Sequence, residues 1–239
     1  MDPLTNPACD LPDLPRWVEP RAAVLSGECD IFGMPGENAC IIRSTRIPLA
    51  TVVGRPSREL LLRAIDLIGP EAELMVMHED AEHVRAVLRY WRELPVTLHT
   101  RPENAPAPAG AEACRGIRIY DPWQASGKRG LAESLKQTLK AATIVAAKRV
   151  DGQVAAVCYT DAVTEQWWDV GVSTLKAHRR RGYARACFAA LDRYMLARGK
   201  HPVWGARDDN AASLKMARSL GFEPADHVLV FASPQRKGR

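Results

Sequence analysis

The sequence predicts an α/β protein in two parts: a smaller α/β domain over residues 1–105, and a larger one over 113–239 built on a mixed, mostly antiparallel sheet flanked by helices. Three observations predict it. Residues 100–113 carry Pro102, Pro106, Pro108 and Gly110 among small residues, with little to bury and a poor fit to helix or strand, so the domain boundary is placed there. On both sides of it, apolar runs of strand length alternate with helical periodicities. Asp151-Gly152, a strong hairpin dipeptide, joins two apolar runs at 143–150 and 154–160.

Short strands are expected near residues 29–32, 39–42 and 50–53. A helix at 57–68 follows, with Ser57 as its cap ahead of Leu60, Leu61, Ile65 and Ile68, and Gly69-Pro70 as its stop. Residues 73–78 read as a strand, 79–94 as a helix carrying Val84, Val87, Leu88 and Trp91, and 96–100 as another strand. Beyond the boundary come a helix at 131–142, the hairpin, and a third strand at 167–174. A helix at 184–197 turns Ala190, Leu191, Tyr194 and Met195 inward and stops at Gly199. A strand at 201–206, a helix at 211–220 closed by Gly221, and a strand at 227–232 complete the order α-β-β-β-α-β-α-β. The third and fourth of these strands are joined through a helix, so they run parallel and are free to splay apart.

With 239 residues, 46% hydrophobic, the chain has enough apolar material to bury roughly 70–75% of its unfolded surface without staples. Its six cysteines, Cys9, Cys29, Cys40, Cys114, Cys158 and Cys187, show neither zinc-ligand nor disulfide spacing, so no metal is expected and a cytoplasmic location fits. The acidic, proline-broken start and the lack of any apolar run near ~18 residues point away from export and from the membrane. Charge is lopsided: residues 1–110 carry 11 Arg and 16 acidic residues, and the remainder 22 basic and 12 acidic, so the second half should meet an anion. Nucleic acid is a poor fit for that anion, because aromatic residues are only 6% and no stacking platform appears.

The informative segment is the end of the third strand, then Arg179-Arg180-Arg181-Gly182-Tyr183-Ala184-Arg185 opening a helix. Amides at a helix start lack partners within it, and the helix dipole adds positive potential, so a pyrophosphate over Gly182, Tyr183, Ala184 and Arg185 would satisfy both. Gly182 and small Ala184 leave the phosphate room, and the arginines add charge-assisted hydrogen bonds. The bland alternative is a solvated basic turn that precedes a helix.

With Arg179, Gly182 and Ala184, the segment resembles the signature of the GNAT superfamily of acetyl-CoA-dependent N-acetyltransferases, Arg or Gln, two residues, Gly, one residue, Gly or Ala. The resemblance covers residues 131–233, whose element order is the one that fold requires, and it leaves 1–112 unassigned. Asn210, three residues before Ser213 on a segment ending Leu220-Gly221-Phe222, resembles the family's lining of the pantetheine arm, although a plain helix cap is the competing reading.

The resemblance implies that Val172, Ser173 and Thr174 bind the acetyl carbonyl and the pantetheine through their backbone, the Val172 amide serving as oxyanion donor. It implies that Arg179, Arg180, Arg181, Gly182, Tyr183, Ala184 and Arg185 hold the pyrophosphate, and that Asn210 and Ser213 reach the pantetheine. The acceptor would be a primary amine on a small molecule or peptide. Glu165 and Asp169 are candidate bases for it, each balanced against a merely solvated carboxylate. Many members carry a tyrosine acid seven residues after the asparagine, where this chain has Ala217. Tyr183, Ser213 or water would then serve the thiolate, or the chain is a catalytically silent CoA-binding sensor or partner-binding module.

Cys158 and Cys187 read as packing residues and His178 as a solvated turn histidine. Trp167 and Trp168, adjacent on a strand, face opposite ways. The first part, residues 1–112, reads as a decayed second copy of the same fold that packs against the second part to wall the acceptor cleft or to form a homodimer.

Overall fold

The computed structural model of the protein describes residues 11–34, 36–69, 73–102, 105, 116–123 and 130–234; residues 103, 104 and 106–113 of the expected linker, with Cys9 and Cys114, lie outside them. Two compact units form, one from residues 1–98, 206–211 and 225–239 and the other from 99–205 and 212–224. The first change of unit, between Leu98 and His99, falls just ahead of the expected linker, and the last strand of the chain belongs with the first unit.

The first unit contains α1 (Val18–Ser26), β1 (Cys29–Gly33), β2 (Cys40–Ser44), β3 (Leu49–Val53), α2 (Arg58–Ile68), β4 (Glu73–Met77), α3 (Ala81–Val87) and most of β5 (Arg92–Thr100). The expected cap is in place: Ser57 Oγ accepts the Leu60 N–H at 3.2 Å. β1, β2 and β3 are antiparallel and β4 joins β3 in parallel, the crossover being α2.

Three expectations change. The helix expected over 79–94 is only α3, which ends where Leu88 leaves helical backbone (φ −100°, ψ 48°). Pro95 bars helical backbone at the residue before it, and the sheet recruits Arg92 to Leu94 into β5. α1 was not foreseen, because its cap residue, Trp17, makes no side-chain bond and Pro20 sits in its first turn, where proline is tolerated. In the second unit, β6 (Ile117–Tyr120) was also not foreseen.

The second unit continues with α4 (Glu133–Thr138), β7 (Ile144–Val150), β8 (Gln153–Thr160), β9 (Trp167–Asp169), β10 (Gly171–Thr174), α5 (Tyr183–Leu196), β11 (His201–Arg207) and α6 (Ala211–Ser219); β12 (Glu223–Ala232) ends the described elements. In the first unit β12 lies between β4 and β5, antiparallel to β4. Its residues alternate between two apolar layers: Leu229 and Phe231 join Leu60, Leu61, Leu74 and Val76, while Val228 and Val230 join Met75, Met77, Leu94 and Leu98.

At the start of β12, Asp226 receives Arg16 Nε at 2.5 Å and Nη2 at 2.7 Å. Burial pushes the Asp226 carboxyl up, and the Arg16 bonds with the His227 N–H outweigh it, leaving the group below the usual aspartate range. A depressed folded value stabilises above the unfolded value and is lost as pH falls through the folded one. Urea midpoints should therefore separate the native protein from Asp226→Asn at pH 6 and converge towards pH 3; a gap that stays constant with pH would contradict this.

In the second unit the order is β10-β8-β7-β6, all neighbours antiparallel. Asp151 and Gly152 make the hairpin turn with φ of 48° and 79°. α4 covers one face through Leu135, with Leu139 just past its end, against Val145, Ala147 and Val157. α5 covers the other, with the Cys187 thiol donating to Ala156 O at 3.5 Å. Cys158 and Cys187 are fully buried, as packing residues should be, and burial pushes the Cys158 thiol well up.

Trp168 is buried and stacks on Phe188 of α5 with ring centres 6.2 Å apart, while Trp167 faces His201. Arg101 reaches Asp192 of α5 at 2.6 Å with both side chains about nine-tenths buried. Burial raises the Asp192 carboxyl and Arg101 opposes it.

Candidate functional site

The third strand is not continuous. β9 pairs in parallel with β11 through Trp167, Trp168 and Asp169, and β10 pairs antiparallel with β8. The change of partner occurs at Val170, whose N–H still bonds Val203 O at 2.9 Å. Past that bond β10 follows β8 instead of β11, which is the splay expected between the third and fourth strands.

The register fixes which backbone groups face the opening. Leu175 N–H bonds Ala155 O, so by antiparallel alternation Ser173↔Val157 and Gly171↔Tyr159 are the bonded pairs. Val172 and Thr174, opposite Cys158 and Ala156, then turn their N–H and C=O groups away from β8. That is the side on which Val170 met β11. The sequence expected Val172, Ser173 and Thr174 to act together through their backbones; the alternation separates them, with Ser173 turned to β8 and the other two outward.

After Leu175 the chain makes a short 3-10 turn over Lys176–His178 and reaches the basic segment. Arg180 has φ +61°, a costly conformation for a side-chain-bearing residue, and Gly182 has φ +76° as the cap residue of α5. No side chain caps this helix, and the first bond into it is Ala186 N–H to Gly182 O at 3.0 Å. The amides of Tyr183, Ala184 and Arg185 thus precede the first helical bond, with the positive end of a 14-residue helix behind them.

The side chains divide. Arg180 and Arg181 are exposed. Arg179 is exposed too and donates Nε to Thr174 O at 3.4 Å, leaning back over the outward edge of β10. Arg185 is committed elsewhere, to Ser219 O at 3.1 Å and Ser219 Oγ at 2.9 Å. That is a structural tie between α5 and α6, so of the expected phosphate ligands Arg185 offers its amide more readily than its guanidinium. Tyr183 has its ring 6.3 Å from His178 and 5.9 Å from the Lys148 ammonium. His178 is half-buried, which corrects the solvated reading.

Ser213 accepts the Trp204 indole N–H at 2.9 Å and belongs to the second unit, while Asn210 is exposed just ahead of α6 and groups with the first. Ala217 is fully buried in α6, so that position presents nothing to a ligand. Of the two candidate bases, Glu165 is exposed and lies before β9, in the turn whose carbonyls hold Lys200 at 2.7 Å or less. Asp169 ends β9, three residues before Val172, with one carboxylate oxygen buried.

Residues 143–231 match the sequence pattern of the GNAT acetyltransferase family. No curated protein matches the sequence. Among solved structures the fold is similar to a GCN5-related N-acetyltransferase-like protein from Streptococcus suis 89/1591, with TM-score 0.64 and 17% identity over 96% of each chain. It is also similar to a GNAT-family protein from Novosphingobium aromaticivorans DSM 12444, with TM-score 0.60 and 18% identity over 92% of this chain and 96% of that one. A GCN5-related N-acetyltransferase from Kribbella flavida gives TM-score 0.59 and 14% identity over 92% and 94%. At these identities the likeness concerns the fold. No described helix is long and apolar enough to cross a membrane.

Proposed function

We propose that the protein transfers the acetyl group of acetyl-CoA to a primary amine of a small molecule or peptide, by direct attack in a ternary complex. The observation that carries the reading is two sets of donors that no described group claims: the outward N–H groups of Val172 and Thr174 on β10, and the uncapped amides at the start of α5 beside Arg180 and Arg181. The first pair suits a thioester carbonyl and the pantetheine amides, and the second suits a pyrophosphate. Asp169 is better placed than Glu165 to take the amine proton, directly or through water, because it ends β9 and only Val170 separates it from β10, which carries Val172.

Calorimetric titration with acetyl-CoA should show saturable binding, and none at millimolar concentration would overturn the reading. A second reading, a silent CoA-binding module, is favoured by the buried Ala217 at the position of the usual acid. Thiol release above spontaneous hydrolysis with any member of an amine panel of polyamines, aminoglycosides, amino acids and peptides would exclude it.

A further inference from the structure

We infer that Tyr159 is the proton donor to the departing thiolate, a phenol on β8 laid across β10 where that strand parts from β11. The inference deepens the acetyl-transfer reading and rests on it.

Tyr159 and Gly171 are register partners. A Cβ on Gly171 would stand 2.3 Å from Tyr159 Cζ and 2.5 and 2.7 Å from its two Cε atoms, so the hydroxyl-bearing end of the ring occupies the space a side chain there would need. The glycine weakens the strand and in return lets the phenol lie against it. Neighbouring strands are about 4.8 Å apart, so a ring that starts on β8 and has reached β10 by its Cζ directs its hydroxyl towards the far, open edge. That edge carries the outward Val172 N–H and begins just after the last bond to β11, from Val170 to Val203.

The other hydroxyls considered for the role are worse placed. Ser213 Oγ accepts the Trp204 indole N–H and is an aliphatic hydroxyl, a far weaker acid than a phenol, and Tyr183 stands at the start of α5 beside Lys148, at the phosphate end. Ala217 has no group to give.

In the step, once Asp169 has taken the ammonium proton, the neutral amine's lone pair forms the C–N bond and the C–S bond breaks. The electron pair left on sulfur takes the Tyr159 proton, and the phenolate regains one from the N-protonated amide, so amide and CoA thiol are the products.

The test is calorimetric, with CoA and desulfo-CoA at pH 9 on the native protein and on Tyr159→Phe, which keeps the ring and removes only the hydroxyl. The native protein should bind CoA about tenfold more tightly than the variant does, the worth of one hydrogen bond to a charged group, while desulfo-CoA binds both alike. Equal CoA affinity in the two proteins would overturn the assignment. So would an equal loss for both ligands, which marks a packing role. If the native protein binds neither, the acetyl-CoA reading itself falls and this assignment with it.

Discussion

Replacing Gly182 by Glu should weaken acetyl-CoA binding at least ~100-fold, a loss of about 2.7 kcal/mol, while leaving a folded protein. No atom of the described residues stands within 4 Å of a Cβ built on Gly182, so the first atom of the new side chain meets no clash among them. The cost to folding is the left-handed backbone at φ +76°, roughly 1–2 kcal/mol for a residue with a side chain. The cost to binding is of another kind. A carboxylate at the cap position can fold over the amides of Tyr183, Ala184 and Arg185, as acidic caps commonly do, and it brings a negative charge to the seat proposed for the pyrophosphate. Gly182→Ala separates the two effects, since it shares the backbone strain and lacks the charge. Calorimetry and thermal melts on both variants decide: similar melting with binding lost only in the Glu variant is expected, and unchanged affinity in the Glu variant would remove the anion seat from α5.

The second large effect concerns β12. Phe231→Ala should cost about 3–5 kcal/mol, since a fully buried aromatic ring is replaced by a cavity among Leu61, Leu74 and Val76. The loss should appear in the first unit, although residue 231 lies far beyond the end of β5. Hydrogen exchange is the measurement: amides of β2, β3 and β4 should lose protection while those of β7 and β8 keep theirs. Val157→Ala, in the layer beneath α4, should give the opposite pattern. Equal loss over both sets in either variant would mean that the two units unfold as one.

Local chemistry made much of this legible. Ser57 caps α2, Asp151-Gly152 turns the hairpin, and the stretch from Arg179 to Ala184 marks the start of α5, because each of these signals is complete within a few residues. What stayed hidden depends on partners distant in sequence. Nothing near Trp167 shows that its strand will exchange β11 for β8 at Val170, so the alternation that separates Val172 and Thr174 from Ser173 had to come from the register. The same holds for Arg185, whose guanidinium reads as a phosphate ligand until Ser219 is found beneath it. The helix expected over 79–94 overran for a simpler reason: apolar residues at helical spacing outweighed the warning at Pro95. Tyr159 gave no motif at all, and the one available signal was a lone glycine, Gly171, inside a strand.

The passage of the chain from one unit to the other and back also orders events during synthesis. The first unit takes a strand for the middle of its sheet from residues 225–232, so its amino-terminal part leaves the ribosome with the slot between β4 and β5 unfilled. An unfilled slot exposes two strand edges, the kind of surface that invites pairing with another chain. The nascent protein is therefore most exposed to misassembly for as long as translation of β12 is awaited, and a pause upstream of residue 225 would lengthen that hazard without altering a single contact of the finished molecule.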